Sequence, residues 1–239
     1  MNYGSALQAW ATQEVIRRLG YDVLIIDYVY PNAFHIKDKK RNIARSVLQW
    51  CLHFCQGFPW EKKRKHFEKF WNDNFNLTQT YPCVESIYNN PPDFDVYVAG
   101  SDQIWNPLFP NGKDPSYYID FALSQTKRVS YAASFSVEYI SDADKEFVKG
   151  MLAKMNRISV REYQGVDILK SLDIKNGVKV LDPVFLLDRN YWETFMHKGS
   201  EKDYILIYDF EGSDLMKRVA LYFKRKKSEF LIEFTLFLI

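Results

Sequence analysis

Apolar residues recur along this chain in two rhythms, one of strands and one of helices. In residues 6–19, Leu7, Trp10, Ala11, Val15 and Leu19 fall at helical spacing, and Gly20 follows as a stop. Residues 22–29 (Asp-Val-Leu-Ile-Ile-Asp-Tyr-Val) are nearly continuous in apolar character, the pattern of a buried parallel strand. Further runs at 94–99, 128–133, 158–160 and 178–181 read as strands. Amphipathic stretches at 141–155 and 164–172 read as helices between them, the first capped by Ser141 or Asp142. Strands alternating with helices predict an α/β fold with a Rossmann-like, doubly wound, mostly parallel sheet.

A fresh strand at 204–210, a helix at 214–227 and an apolar run at 230–239 read as the start of a second α/β domain. The expected division is an N-terminal domain at 1–200 and an incomplete second domain at 201–239. A loop–helix–strand unit ordinarily follows a strand, so the first strand of the sheet is expected to be missing, and the chain reads as cut at both ends. The tail 230–239 reads either as a native strand or as out-of-frame sequence.

Between the strands at 22–29 and 94–99, the rhythm changes. Residues 33–80 read as a helical insert, with helices at 43–55 and 61–75; Phe67, Phe70 and Trp71 share one face of the second. Residues 33–75 hold ten Lys and Arg against four Asp and Glu, although the whole chain carries only +2. A solvated helical face is one reading of this basic patch. Peripheral contact with an anionic membrane surface is the other, and packing of the 43–55 apolar face on the main domain competes with it.

Composition narrows the field. The chain of 239 residues is 47% hydrophobic and 26% charged, as expected of a globular protein. Its small net charge gives no general argument for nucleic acid as a partner. Aromatics reach 17%, which suits carbohydrate handling and equally an aromatic-rich core. Three cysteines (Cys51, Cys55 and Cys83) give no disulfide framework, no segment reads as a signal peptide, and no apolar run spans a bilayer. The protein is therefore expected in the cytoplasm, with the inner face of the membrane as its possible working surface. Cys51, His53 and Cys55 are spaced by two, which puts neighbours on different helix faces, so no metal site is read there. Neither a P-loop nor a Gly-x-Gly-x-x-Gly fingerprint occurs, so no cofactor is expected.

The most informative stretch is Gly100-Ser101-Asp102-Gln103-Ile104-Trp105-Asn106-Pro107. It follows the strand at 94–99, where Gly100 is expected to permit a sharp turn, and open α/β sheets hold ligands at such strand ends. A plain strand-to-helix turn capped by Ser101 or Asp102 is the other reading.

This octet keeps company with Asn2-Tyr3-Gly4-Ser5-Ala6-Leu7-Gln8-Ala9, Ser130-Tyr131-Ala132-Ala133-Ser134-Phe135, Ser159-Val160-Arg161-Glu162 and Leu181-Asp182-Pro183. In their order and spacing, these segments resemble the polysaccharide pyruvyl transferase family. The resemblance runs from Asn2 to about Lys227. It implies a GT-B-like fold of two facing α/β domains, and transfer of pyruvyl from phosphoenolpyruvate to a sugar of an exopolysaccharide or cell-wall polymer, usually as a cyclic ketal. The implied partners are phosphoenolpyruvate, as donor substrate, and a saccharide acceptor that is often lipid-linked.

Phosphoenolpyruvate is a trianion near neutral pH, so its site needs cationic groups and helix-terminal N–H donors. Arg161 stands in the family's Ser-x-Arg-Asp/Glu position and is the candidate for the donor's phosphate or carboxylate; pinning a loop beside Glu162 is its alternative. Asn2, Gly4 and Ser5 stand at a helix amino end, either as an anion or hydroxyl site or simply as a cap. Ser101, Asp102 and Gln103 are candidates for sugar hydroxyls, and Trp105 either stacks on a pyranose face or is a core aromatic. Asp182, before Pro183, is read as shaping the crossing between the domains rather than as performing chemistry. The catalytic residues are left unassigned: His35, His53, His66 and His197 read as surface residues. The resemblance puts the general acid beyond residue 239, so this chain is expected to be impaired in turnover. Competing readings are a GT-B glycosyltransferase using a nucleotide sugar and a non-catalytic sugar-binding remnant.

Overall fold

The computed structural model of the chain describes residues 2–29, 59–195, 204–209, 213–226 and 231–236. The helix expected at 43–55 lies outside them, as do Cys51, Cys55, His35, His53 and His197. The chain separates into two compact units, Met1–Asp188 and Arg189–Ile239.

The first unit begins with α1, Tyr3–Arg18. The 2–5 segment, expected to be a loop, is this helix's cap and first turn. The Asn2 side chain accepts the Ser5 N–H at 3.1 Å and satisfies one of the amides that a helix start leaves unpaired. Gly20 ends the helix with φ 88°. Arg17 and Arg18 in the last turn both pair with Glu14, at 2.8 and 2.7 Å, on the side the helix dipole favours.

Strand β1, Ile25–Tyr28, follows. Its parallel partner is β2, Leu77–Tyr81, a strand at the end of the 33–80 insert, past the helices expected at 43–55 and 61–75. The sequence gives little sign of it: Thr78, Gln79 and Thr80 leave this strand only two apolar positions, too few to set a period of two. Thr80 donates to Asp27 at 2.5 Å and Thr78 accepts the Asp27 N–H at 3.1 Å, so polar side chains rather than apolar ones register the pair. Helix α2, Pro59–Asn74, lies in the long crossover between them. Its Trp71 ring lies 4.1 Å from that of Phe75 and stacks with Phe67, which accounts for the expected aromatic face.

A short helix α3, Val84–Asn89, leads to β3, Val96–Ala99, which pairs in parallel with β4, Lys127–Ser130. The expected strand at 128–133 stops early because Ala132 takes φ 55°. Its hydrogen bonds change sides there: the Tyr131 N–H goes to the Ala99 carbonyl, and the Ala133 N–H to that of Ser159. Parallel bridges at Val129–Arg157 and Ala133–Val160 carry the arrangement on to β5, Ser159–Val160, which pairs in parallel with β6, Val178–Lys179. Helices α4, Asp142–Leu152, and α5, Tyr163–Ser171, fill the two crossovers.

Both helices turn apolar residues at helical spacing into the core: Val148 and Leu152 from α4, and Ile168 with the C-capping Leu172 from α5, where Leu169 is buried beside them. These meet Trp105, Tyr118, Phe135 and Ile87, all fully buried. Each such side chain contributes about 1.5–3 kcal/mol of hydrophobic stabilisation.

In the second unit, α6, Arg189–Glu193, precedes a β–α–β element. Strands β7, Tyr204–Asp209, and β8, Leu231–Leu236, pair in parallel over their full length and flank α7, Asp214–Lys226. Among the described residues, no helix is long and apolar enough to cross a membrane. The observed architecture is mixed α/β with short parallel strand pairs.

Candidate functional site

Strands β3, β4, β5 and β6 run in one direction, so their carboxyl ends lie along one edge, where the segments singled out in the sequence converge. Helix α1 brings its amino end to the same place and packs against the 3-10 turn Pro183–Leu186.

The polar cluster is built from the loops following these strands. After β3, the buried Ser101 gives its N–H to Gln8 Oε1 at 3.2 Å and its hydroxyl to Asp182 Oδ2 at 3.2 Å. Asp102 accepts a short hydrogen bond from the Ser5 hydroxyl, and its other oxygen accepts the Gln103 N–H at 2.7 Å. After β4, Ser134 donates its N–H to the Asp102 carbonyl at 2.9 Å and its hydroxyl, through a short hydrogen bond, to Glu162 Oε1. After β5, Arg161 Nη1 donates to Asp182 Oδ2 at 3.1 Å, while Nε lies 3.8 Å from Glu162 Oε1. Asp182 uses its second oxygen to accept the Val184 N–H at 3.1 Å, capping the 3-10 turn. One carboxylate thus holds three chain segments.

The loop through Ser134 is conformationally demanding. Ala132 and Ser136 have φ of 55° and 52°, and a non-glycine residue in this region costs about 1 kcal/mol or more. The Ser159 hydroxyl accepts the Ala132 N–H at 3.1 Å and helps hold the strained turn. Just beyond lies a cavity of about 270 Å³ lined by Phe135, Val137, Glu138, Glu162, Gln164 and Gly165. Glu162 Oε2 is buried and, among the described residues, has no hydrogen-bond partner. Tyr131 belongs to the same loop; burial, then the Asp182 charge, raise its hydroxyl pKa, so the phenol stays protonated.

Asn2, Ser5, Ser101, Asp102 and Arg161 therefore belong to one cluster. Gln103 lies at its exposed edge, its carbonyl accepting from the Asn111 side chain at 2.8 Å. Two glycines have a smaller role than their positions suggest. Gly4 lies in the first turn of α1, and a Cβ there would meet only Asn2 Oδ1 at 3.4 Å. Gly100 has no positive φ, and a Cβ there would meet Gln8 Oε1 at 3.8 Å, so the backbone at this position does not require glycine.

Trp105 is not available for stacking on a pyranose. It is fully buried, its ring stacks on Tyr118 at 5.7 Å, and its indole N–H goes to the Tyr117 carbonyl at 3.2 Å. Of its two readings, the core aromatic is the one the structure bears out. Gln8, Ser134, Glu162 and Asp182 were not singled out as site residues, yet they join the cluster. Each lies within a segment quoted for the resemblance, and that placement was the available signal. His66 is exposed on α2. Among the described residues, no group of three or more His, Cys, Asp or Glu is arranged to hold a metal ion.

The arrangement offers a guanidinium, three carboxylates and several hydroxyls at strand ends, a set suited to hydroxyl-rich or anionic ligands. A family model described as polysaccharide pyruvyl transferase matches residues 2–238. No curated protein and no solved structure matches the chain.

Proposed function

The chain belongs to the polysaccharide pyruvyl transferase family, and from that premise we propose that it moves a pyruvyl group from phosphoenolpyruvate onto a sugar of an exopolysaccharide or cell-wall polymer as a ketal. The family match over residues 2–238 carries this reading. On this reading, the first unit is a Rossmann-like domain of GT-B type; the parallel β3 to β6 arrangement, with a helix in two of its crossovers, supports that assignment.

The reaction fixes what the residues must do. A proton added to carbon three of the donor makes carbon two electrophilic. One sugar hydroxyl adds there and loses its proton, a second hydroxyl adds as the C–O bond to phosphate breaks, and inorganic phosphate departs. One proton ends on the new methyl group and the other on phosphate, so no redox cofactor is consumed.

Arg161 is assigned to the donor's phosphate or carboxylate, the role a guanidinium fills through paired N–H donors. Ser5, Ser101 and Asp102, with Asn2 as the cap that orders the α1 amino end, are assigned to sugar hydroxyls. The acceptor is a saccharide, lipid-linked where polymers are assembled on a membrane, and the proposed place of action is the cytoplasm or the inner face of that membrane.

Calorimetric titration of the chain with phosphoenolpyruvate tests the assignment. Binding is expected to weaken at least about tenfold in Arg161→Ala, equivalent to about 1.4 kcal/mol. A folded chain that binds a nucleotide sugar and ignores phosphoenolpyruvate would overturn the reading.

A further inference from the structure

Two carboxylates flank the guanidinium of the cluster, and a third, that of Asp102, belongs to the same cluster. Asp182 bonds Arg161 directly at 3.1 Å and Glu162 lies beside its Nε at 3.8 Å, while the Asp102 carboxylate is engaged by Ser5 and the Gln103 amide. Among the described residues, Arg161 is the ion-pair partner of both Asp182 and Glu162. As it stands, the cluster has an excess of negative charge and so opposes an incoming trianion. Cationic attraction is available to a donor only to the extent that Arg161 is released from its own carboxylates.

The two carboxylates hold it differently. Glu162 lies beyond hydrogen-bond distance of Nε, and its Oε1 is already engaged by Ser134. Asp182 makes the actual hydrogen bond, and Ser101 and the Val184 amide hold its carboxylate in place. Arg161 is about one-third exposed and Asp182 less so, so an anion approaching from solvent reaches the guanidinium side of the pair first.

We propose that Asp182 sets donor affinity by competing with the anionic donor for Arg161, so that the pair acts as an internal counter-ion that donor binding must displace. The proposal rests on the assignment of Arg161 to the donor. It makes Asp182 a positioning residue: in the empty site it keeps the guanidinium ordered at the strand ends, and it yields the charge when a phosphate or carboxylate competes. A purely structural Asp182 would make the opposite prediction, because its loss would disorder Arg161 and weaken binding.

The test is titration of the full chain with phosphoenolpyruvate and, separately, with inorganic phosphate, at fixed ionic strength. Asp182→Asn retains an oxygen for the Val184 amide and removes the charge. Asp182→Ser does the same with a smaller side chain suited to capping, and serves if the Asn variant does not fold. Either variant is expected to bind both anions about tenfold more tightly than the original chain, with the gain shrinking as salt is raised. Asp182→Glu, which keeps the charge, is expected to show no gain.

Equal or weaker anion binding by a folded neutral variant overturns the proposal, while loss of binding in Arg161→Ala would leave the donor assignment standing. If Arg161→Ala changes nothing, both fail together. A gain in the neutral variants that persists when Arg161 is also replaced by Ala would overturn the competition and indicate general repulsion instead.

Discussion

The octet at 100–107 divides in the middle, and its two halves meet different physical demands. Ser101 and Asp102 feed the polar cluster, with Gln103 at its exposed edge. Trp105, Asn106 and Pro107 are buried, with Trp105 between Tyr118 and Phe135. Residues that identify a family together need not all touch its ligands. Here the second half is anchored in the core, and the first half is hydrogen-bonded at the strand ends.

Breaking the anchor has the largest expected effect. Trp105→Ala should cost about 3–5 kcal/mol in chemical denaturation, the range for deleting a buried aromatic ring. A Trp105→Ala chain of unchanged stability that had lost only sugar binding would collapse the distinction between the halves.

Gly112→Ala should follow at about 3 kcal/mol. A Cβ there would lie 2.0 Å from the Asn106 carbonyl oxygen, and that neighbour is backbone, which cannot swing away. Tyr118→Phe should cost about 1 kcal/mol, because the buried hydroxyl donates to the Gly112 carbonyl at 2.9 Å and the change leaves that acceptor unpaired. Thermal unfolding of the two variants distinguishes packing from hydrogen bonding within the anchor.

The smallest effect concerns an ion pair outside the cluster. Burial raises the Asp120 pKa, but hydrogen bonds from Lys154 and Tyr88, with the Lys154 charge, outweigh it and leave the carboxyl below its ordinary value. A depressed folded-state value gives stability that is present above the unfolded-state pKa of about 3.9 and lost as pH falls through the folded value. Asp120→Asn should therefore cost about 0.5 kcal/mol at neutral pH, and the difference should fade in acid. The same denaturation series on Asp182→Asn would show whether that carboxylate acts as scaffold or as counter-ion.

Much of the core was legible in the sequence. Val148 with Leu152, and Ile168 with Leu172, repeat at helical spacing and lie buried where their period says. Strand ends were less legible. The 128–133 strand stops at Ser130 because Ala132 enters the left-handed region, and nothing about an alanine announces a positive φ. β2 escaped notice because its register rests on Thr78 and Thr80 bonding to Asp27, a contact across more than fifty residues. In the site, Asn2 as a cap was readable from local chemistry, while Gln8 was hidden because its partner is the Ser101 amide, 93 positions away.

The sequence by itself determined the alternation of strand and helix, the apolar faces and the family, because each is written in local period or in contiguous residue order. Only the tertiary structure decided that Asp182 neutralises Arg161, that Ser134 bridges Asp102 and Glu162, and that Trp105 faces inward. Those outcomes depend on which strand ends are brought side by side. A charge or an indole has the same letter in the sequence whether it meets solvent, a ligand or another part of its own chain.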